Sequence, residues 1–437
     1  MNEQLYKSNF KETFGEVNTP FSLVELMISL FPDNFFFNKN NVWLDPGCGQ
    51  GNISWVLLHK LREHLDTKHI LEEMLYLIEL NPEREKDVYK NFKDFGRPNL
   101  SICNYIHWKP PKPISAIICN PPYNFNGAIK TPTNNNVAKT SDGVNAWCGF
   151  INRSLDILQE GGYMCFIVPA IWLKPDDGAG IYQKLFKYKI EKMHCFSASE
   201  SNKMFNGLAQ TPTSLFLLKK EQPIARIFSL FCKLENKYLK FNCENNLPIP
   251  MCNIVLINKL LYYCKTAGHL NVSKTNMPSK HTKFSPFKTD IYKYKNIKSV
   301  LLCKNKQLDN ENKFYTMENT LVGEKVINWS DNPCVGYGIP KIILAHKMYG
   351  LPILDLKGEY GISNRDNYII TKYNLFELER IYALLSCPIM LNVYDSTRYR
   401  MRYLEKYAFH FIPDITKLHT FPNKNINNQT IIKYFNI

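Results

Sequence analysis

The chain has 437 residues, 45% of them hydrophobic and 13% aromatic, with a net charge of +15, which excludes a disordered chain and leaves room for two or three packed domains. No apolar run approaches the roughly 18–20 residues that cross a bilayer, and the first residues, Met1 to Lys7, lack a signal-peptide core. The thirteen cysteines form no C-x-x-C pair, so the expectation is a soluble, reduced, cytoplasmic protein without a metal site.

The charge is uneven. Residues 1–220 hold 24 Lys and Arg against 22 Asp and Glu, whereas residues 221–437 hold 30 against 17. A near-neutral first half joined to a basic second half suggests a catalytic domain followed by one that binds a polyanion.

In chain order, a polar start leads to Thr19-Pro20 and a helix over Phe21–Phe31 with Leu23, Leu26, Met27 and Leu30 on one face. Val42 to Asp45 is a short strand that runs into Pro46-Gly47-Cys48-Gly49-Gln50-Gly51, and a helix opens at Asn52. Strand, glycine loop and helix open a nucleotide-binding βαβ unit. The spacing is G-x-G-x-G after an acid rather than the dinucleotide pattern. Asp45 would repel a pyrophosphate but suits a cationic amino group. A second strand, Met74–Glu79, again ends in an acid, which can take the hydroxyls of a ribose. A third, near 99–104, ends at Asn104.

The fourth strand, Ile114 to Cys119, stops at Asn120-Pro121-Pro122-Tyr123. Two prolines fix φ and donate no N–H, so neither strand nor helix continues through them. A carboxamide, free carbonyls and an aromatic ring are thereby held at a strand's C-terminal end, where open α/β sheets bind ligands. Residues 124–146 read as a long mobile loop beside that site. A helix over Trp147–Gln159 and a strand over Tyr163–Pro169 follow. Further on come a helix near Tyr182–Tyr188, a strand near Ile190–Phe196, a loop at Met204-Phe205-Asn206-Gly207 and a closing strand from Thr213. This predicts a doubly wound α/β catalytic domain over 1–220, a linker over 221–250, and a smaller β-rich domain over 251–437. In the last, basic and aromatic residues interleave at Lys283–Lys288, at Tyr292–Lys295, and from Tyr394 to Tyr407 with Arg398, Arg400 and Arg402. Phosphate contact and base stacking call for that mixture.

Taken together, these residues resemble the S-adenosylmethionine-dependent N6-adenine DNA methyltransferases of the TaqI-like group. In that group the cofactor motif precedes the catalytic one and a target-recognition domain is C-terminal. The resemblance covers residues 12–220 by motif, with a looser likeness around Lys341–Tyr368 and Tyr407–Ile415. It implies a seven-stranded, mostly parallel Rossmann-like sheet with one antiparallel strand. It places Thr19-Pro20 near the cofactor's methionine, the loop Pro46–Gly51 against the methionine part and Glu79 on the ribose. The group often has an acid after its third strand, where this chain has Asn104. It also implies Phe205 as a second aromatic against a flipped base that stacks on Tyr123. The Asn120 carboxamide oxygen and the Pro121 carbonyl would accept the hydrogens of the target amino group.

The expected partner is double-stranded DNA bound by a monomer, with a separate restriction endonuclease acting at the same site. Only about 15 residues precede the first motif, too few for a fused nuclease. Rival readings are N4-cytosine DNA methylation, and RNA or protein-glutamine methylation by the same Asn-Pro-Pro-Tyr chemistry. A DNA-binding subunit with a decayed catalytic domain is a rival of another class, disfavoured because the motifs are intact. A nicotinamide dehydrogenase is disfavoured by the glycine spacing.

Overall fold

The computed structural model describes residues 17–123, 146–175, 180–275, 278–300, 307–309, 314–316, 325–346, 352–364, 367–400 and 404–437. The expected loop at 124–146 therefore lies outside the described residues up to its last position, and Arg402 lies outside them too. The chain divides into two compact units. One takes the described residues up to Phe231, with Lys237–Asn246, Tyr399 and Arg400; the other takes Cys232–Asn236, Leu247–Arg398 and the stretch from 404 onward.

The first unit is built on one sheet. Its strands are β1 (Trp43–Asp45), β2 (Leu75–Glu79), β3 (Asn99–Ile102), β4 (Ile114–Cys119), β5 (Leu158–Pro169), β6 (Lys189–Phe196), β7 (Thr213–Lys219), β8 (Ile227–Cys232) and β9 (Lys237–Asn242). Their order is β3-β2-β1-β4-β5-β7-β6-β8-β9. The pairs from β3 through β5 are parallel, and β7 runs antiparallel to both β5 and β6. This is the mostly parallel sheet that the resemblance implies, with its single reversed strand among the first seven.

Two further strands extend the edge, which corrects the expectation of a linker over 221–250. Despite the prolines and polar residues of that stretch, β8 pairs parallel with β6 and β9 lies beyond it. The alternation of buried Phe228, Leu230 and Cys232 with less buried neighbours is the period-two signal of a half-covered strand.

The helices follow the apolar periodicity. They are α1 (Phe21–Ser29), α2 (Asn52–Leu61), α3 (Arg84–Phe92), α4 (Ala146–Ile157), α5 (Ile181–Leu185) and α6 (Ala198–Met204). Leu23, Val24, Met27 and Ile28 of α1, Ile53, Leu57, Leu58 and Leu61 of α2, and Val88 and Phe92 of α3 pack in one cluster. They meet Leu75, Leu77, Ala116, Ile118, Cys165, Ile167, Leu215 and Leu217 of the strands. Those strand residues are two apart, so they share one face. On β4 the residues between them are buried as well, as a parallel strand covered on both faces requires. Each large side chain so buried contributes about 1.5–3 kcal/mol. Helix α6, not expected from the sequence, is fixed by a capping box in which Ser197 and Glu200 each bond the other's backbone N–H.

The second unit is richer in helix than its sequence suggests. Four-stranded sheets and a two-stranded ribbon are joined by helices at Ile254–Ala267, Leu375–Leu385, Ile389–Ser396 and Asn428–Phe435. The glycine-rich stretches at 336–340 and 358–361 are turns held back to back: the Gly338 N–H donates to the Gly358 carbonyl at 2.8 Å. Gly358 has φ +69°, and a Cβ there would lie 2.5 Å from the Gly338 carbonyl carbon, so only glycine fits. Beside the turns a buried Lys341 pairs with buried Asp355 at 2.5 Å. The Lys341 ammonium also donates to the Ile339 carbonyl, and Asp355 accepts from the Glu359 and Tyr360 N–H groups.

Candidate active site and nucleic-acid interface

The chain leaves β1 toward β2 on one side of the sheet, while β4 lies on the other. At such a reversal the loops after the strands part and leave a crevice. Residues from four loops line it. In the first, Gly51 has φ +85° and caps α2, and a Cβ there would come within 3.2 Å of the Phe92 ring. The loop is tied down by Cys48 N–H to Ile78 O (3.0 Å) and Gly51 N–H to Cys48 O (2.8 Å). Pro46 is buried, whereas Gly47 is half-buried.

Two carboxylates stand at the strand ends with different surroundings. Glu79 is well supplied with donors. Its Oε2 accepts from the Gly49 N–H at 2.8 Å, and its Oε1 accepts from the Leu80 and Asn81 N–H groups at 2.9 and 2.8 Å. Asp45 is fully buried, and only Oδ2 is bonded, to the Ser54 hydroxyl at 2.8 Å. Its Oδ1 has no partner among the described residues. Burial pushes the Asp45 carboxyl up to about 7; the Ser54 hydroxyl opposes this, Glu79 adds a smaller upward push, and the Ser54 backbone N–H a smaller downward one.

A buried, half-satisfied carboxylate is costly unless something cationic completes it. The α-amino group of S-adenosylmethionine would do so, and the glycine loop and Glu79 stand beside it. The residues present therefore fit that cofactor.

Asn120 follows β4. Its Nδ2 donates to the Thr19 hydroxyl at 3.1 Å and to the Val17 carbonyl at 3.4 Å. Tyr123 is half-buried, and its hydroxyl is buried with no partner among the described residues. Burial raises its phenol well above the usual range. Pro121 is buried and Pro122 half-buried. Thr19 is buried beneath Pro20, which caps α1. Thr19 and Asn120 are bonded to each other, while Thr19, Asp45 and Glu79 are each bonded to a residue of the glycine loop or the helix it opens.

Phe205 is a correction to the sequence reading. It is 2% exposed and belongs to the core cluster of the sheet, because α6 ends just before it and turns its ring inward. In this structure it presents no face to a base. Asn104 is exposed, and its side chain is engaged in capping the turn at Tyr105–His107 through the Ile106 N–H.

Sequence reasoning missed several neighbours. Ser54 lies one turn into α2, on the side that faces back to Asp45. Asn52 donates to the Thr19 carbonyl at 3.0 Å, and Asn18 donates to Gln50 at 3.3 Å. Leu80, directly after Glu79, is 55% exposed, an apolar side chain left in the open beside the crevice. An exposed apolar residue following a strand-end acid was the available signal.

In the second unit the structure separates the basic, aromatic stretches. Tyr394 is buried and Arg398 lies 3.7 Å from Asp395; Tyr399, which belongs to the first unit, is buried too. The arch from Lys283 to Tyr294 is open. Lys283, Lys288 and Lys293 are exposed, Phe287 is 74% and Ile291 70% exposed, and the Lys288 ammonium lies 5.5 Å over the Trp329 ring.

Residues 26–205 match the family described as Eco57I restriction-modification methylase. The Type II methyltransferase M.TthHB8I of Thermus thermophilus is 28% identical over 181 residues, covering 38% of this chain and 37% of that protein. The Type II methyltransferase M.BsuBI of Bacillus subtilis is 25% identical over 212 residues, covering 44% and 40%. The chain spans about two fifths of the length of these curated relatives. Among solved structures, the methyltransferase subunit of a type I restriction-modification system from Streptococcus thermophilus is 20% identical with a TM-score of 0.38, covering 54% of this chain and 53% of that one. No helix among the described residues is long and apolar enough to cross a membrane. Over residues 26–205, then, the chain is similar to the methylases of restriction-modification systems.

Proposed function

We propose that this chain is a site-specific DNA methyltransferase that modifies the N6 amino group of a flipped-out adenine, with S-adenosylmethionine as the methyl donor. The observation that carries the reading is the Asn120 carboxamide, held by its Nδ2 at the end of β4. Its Oδ1 is bonded to none of the described residues and is free to accept.

An exocyclic amino nitrogen conjugated to a ring is a poor nucleophile, since its lone pair is delocalised. Asn120 Oδ1 and the Pro121 carbonyl each accept one of its hydrogens and favour the pyramidal nitrogen of the transition state over the planar ground state. When bound, the cofactor would supply an electrophilic methyl for the nitrogen lone pair. Asp45 would hold the donor's ammonium, Glu79 would accept from its ribose, and Leu80 would offer an apolar surface to its adenine. Tyr123 provides the face on which the extruded base stacks. The exposed arch at Lys283–Lys293 supports DNA as the partner, through phosphate contact by the lysines.

Nucleoside mass spectrometry of DNA from a methylation-deficient host expressing the chain tests the reading. N6-methyladenine is the expected product. N4-methylcytosine would keep the mechanism and change the base, and an unmodified genome with intact cofactor binding would overturn DNA as the substrate.

A further inference from the structure

Resting on that reading, we propose that Thr19 is a positioning residue that holds the Asn120 carboxamide in place, in the orientation that the Val17 carbonyl selects. A carboxamide has two ends of similar size and opposite hydrogen-bonding sense, and only one orientation presents an acceptor to an amino group. The neighbours decide between them. The Val17 carbonyl, 3.4 Å away, can only accept, so the NH2 end must face it. The Thr19 hydroxyl, at 3.1 Å, accepts the second hydrogen. Turned over, Asn120 would set its oxygen against the Val17 oxygen and lose that bond, while the Thr19 hydroxyl could donate to it instead. With Nδ2 fully used, Oδ1 points away from the strap.

The strap is itself braced. The Thr19 carbonyl accepts from Asn52 at 3.0 Å, Asn18 reaches Gln50 at 3.3 Å, and the Pro20 carbonyl accepts from the Leu23 and Val24 N–H groups at the start of α1. Asn52 and Gln50 belong to the glycine loop and the helix it opens. The segment that fixes the catalytic carboxamide is therefore bonded to the loop expected to hold the cofactor.

The test is Thr19→Val, which keeps the shape and removes the acceptor, beside Thr19→Ser, which restores it. With saturating cofactor and DNA, Thr19→Val should lower kcat about ten- to hundredfold, as expected for a misplaced reacting group. Cofactor Kd by calorimetry should move less than about threefold, and Thr19→Ser should recover most of the rate. A second readout needs no substrate. In full-length protein labelled with 15N-asparagine, the Asn120 side-chain NH2 resonances should shift in Thr19→Val and return in Thr19→Ser. A normal kcat in Thr19→Val, a loss explained wholly by cofactor affinity, or unmoved NH2 resonances would overturn the role. If the resonances respond but the wild-type chain methylates no DNA, the positioning stands and the proposed function fails.

Discussion

Asp45→Asn separates what the residue costs the fold from what it gives the ligand. The Asp45 carboxyl moves from an ordinary 3.8 to about 7 on folding, and three pH units correspond to roughly 4 kcal/mol at most. Below pH 3.8 folded and unfolded chains both keep the proton, so the residue costs nothing. Between 3.8 and 7 the unfolded chain ionises first, and stability falls as pH rises. Above 7 the whole penalty is present. The variant's carboxamide can still accept from Ser54 and carries no charge, so Asp45→Asn should match wild type near pH 4 and melt several degrees higher at pH 8. Cofactor affinity should move the opposite way. Between pH 5 and 7 the ligand's ammonium stays protonated while Asp45 titrates, so wild-type affinity should fall by up to about tenfold per pH unit on acidification. Asp45→Asn should bind weakly with a flat pH profile. Thermal melts and calorimetric titrations at pH 4, 6 and 8 give both curves. A pH-independent Tm difference, or undiminished cofactor affinity in the variant at pH 8, would refute the assignment of an orphaned carboxylate awaiting a cation.

Asn120→Ala should reduce kcat by about a hundredfold or more while leaving cofactor Kd near wild type, as single-turnover assays and calorimetry would register. Replacing Lys283, Lys288 and Lys293 together with alanine should weaken DNA binding and flatten the log K against log salt slope by about 2–3; an unchanged slope in fluorescence titrations would move the footprint elsewhere. Lys341→Met leaves Asp355 buried without its cation and should destabilise the second unit by roughly 3–5 kcal/mol. In urea denaturation, adding Asp355→Asn should recover part of that loss.

Much of the first unit is legible because its strands are short apolar runs ended by residues that cannot extend them. Asp45-Pro46-Gly47, Glu79 and Asn120-Pro121-Pro122 each punctuate a strand, and the structure ends β1, β2 and β4 at those points. Residues 221–250 hide their strands since β8 and β9 lie at a sheet edge, where one face stays polar and the alternation is diluted by Lys237, Tyr238 and Lys240. Phe205 misleads for a related reason. A phenylalanine after a short helix has the same sequence neighbours whether its ring turns in or out, and only the helix that the Ser197–Glu200 capping box starts decides between them. The interleaved stretch from Tyr394 shows the same limit, because composition cannot distinguish a stacking aromatic from a buried one. The capping box at Asn374 and Glu377 and the apolar spacing of Ile254, Ile257 and Leu260 are readable signs of helix in a half whose turns suggest strands.

Glu79 shows where a strand-end position suggests too simple a role. Strand-end position alone suggests a carboxylate free to take both ribose hydroxyls. A carboxylate has about four acceptor positions, and Glu79 already spends three on the Gly49, Leu80 and Asn81 N–H groups. One position remains, which suffices for one hydroxyl. A two-hydroxyl grip requires one of those N–H groups to let go. The two on Oε1 belong to the residues directly after Glu79 and are held by chain connectivity, so the Gly49 contact is the one that can open. A ribose gripped by both hydroxyls at Glu79 would therefore require the glycine loop to move, the loop whose far end is bonded through Asn52 to Thr19 and, through Thr19, to Asn120.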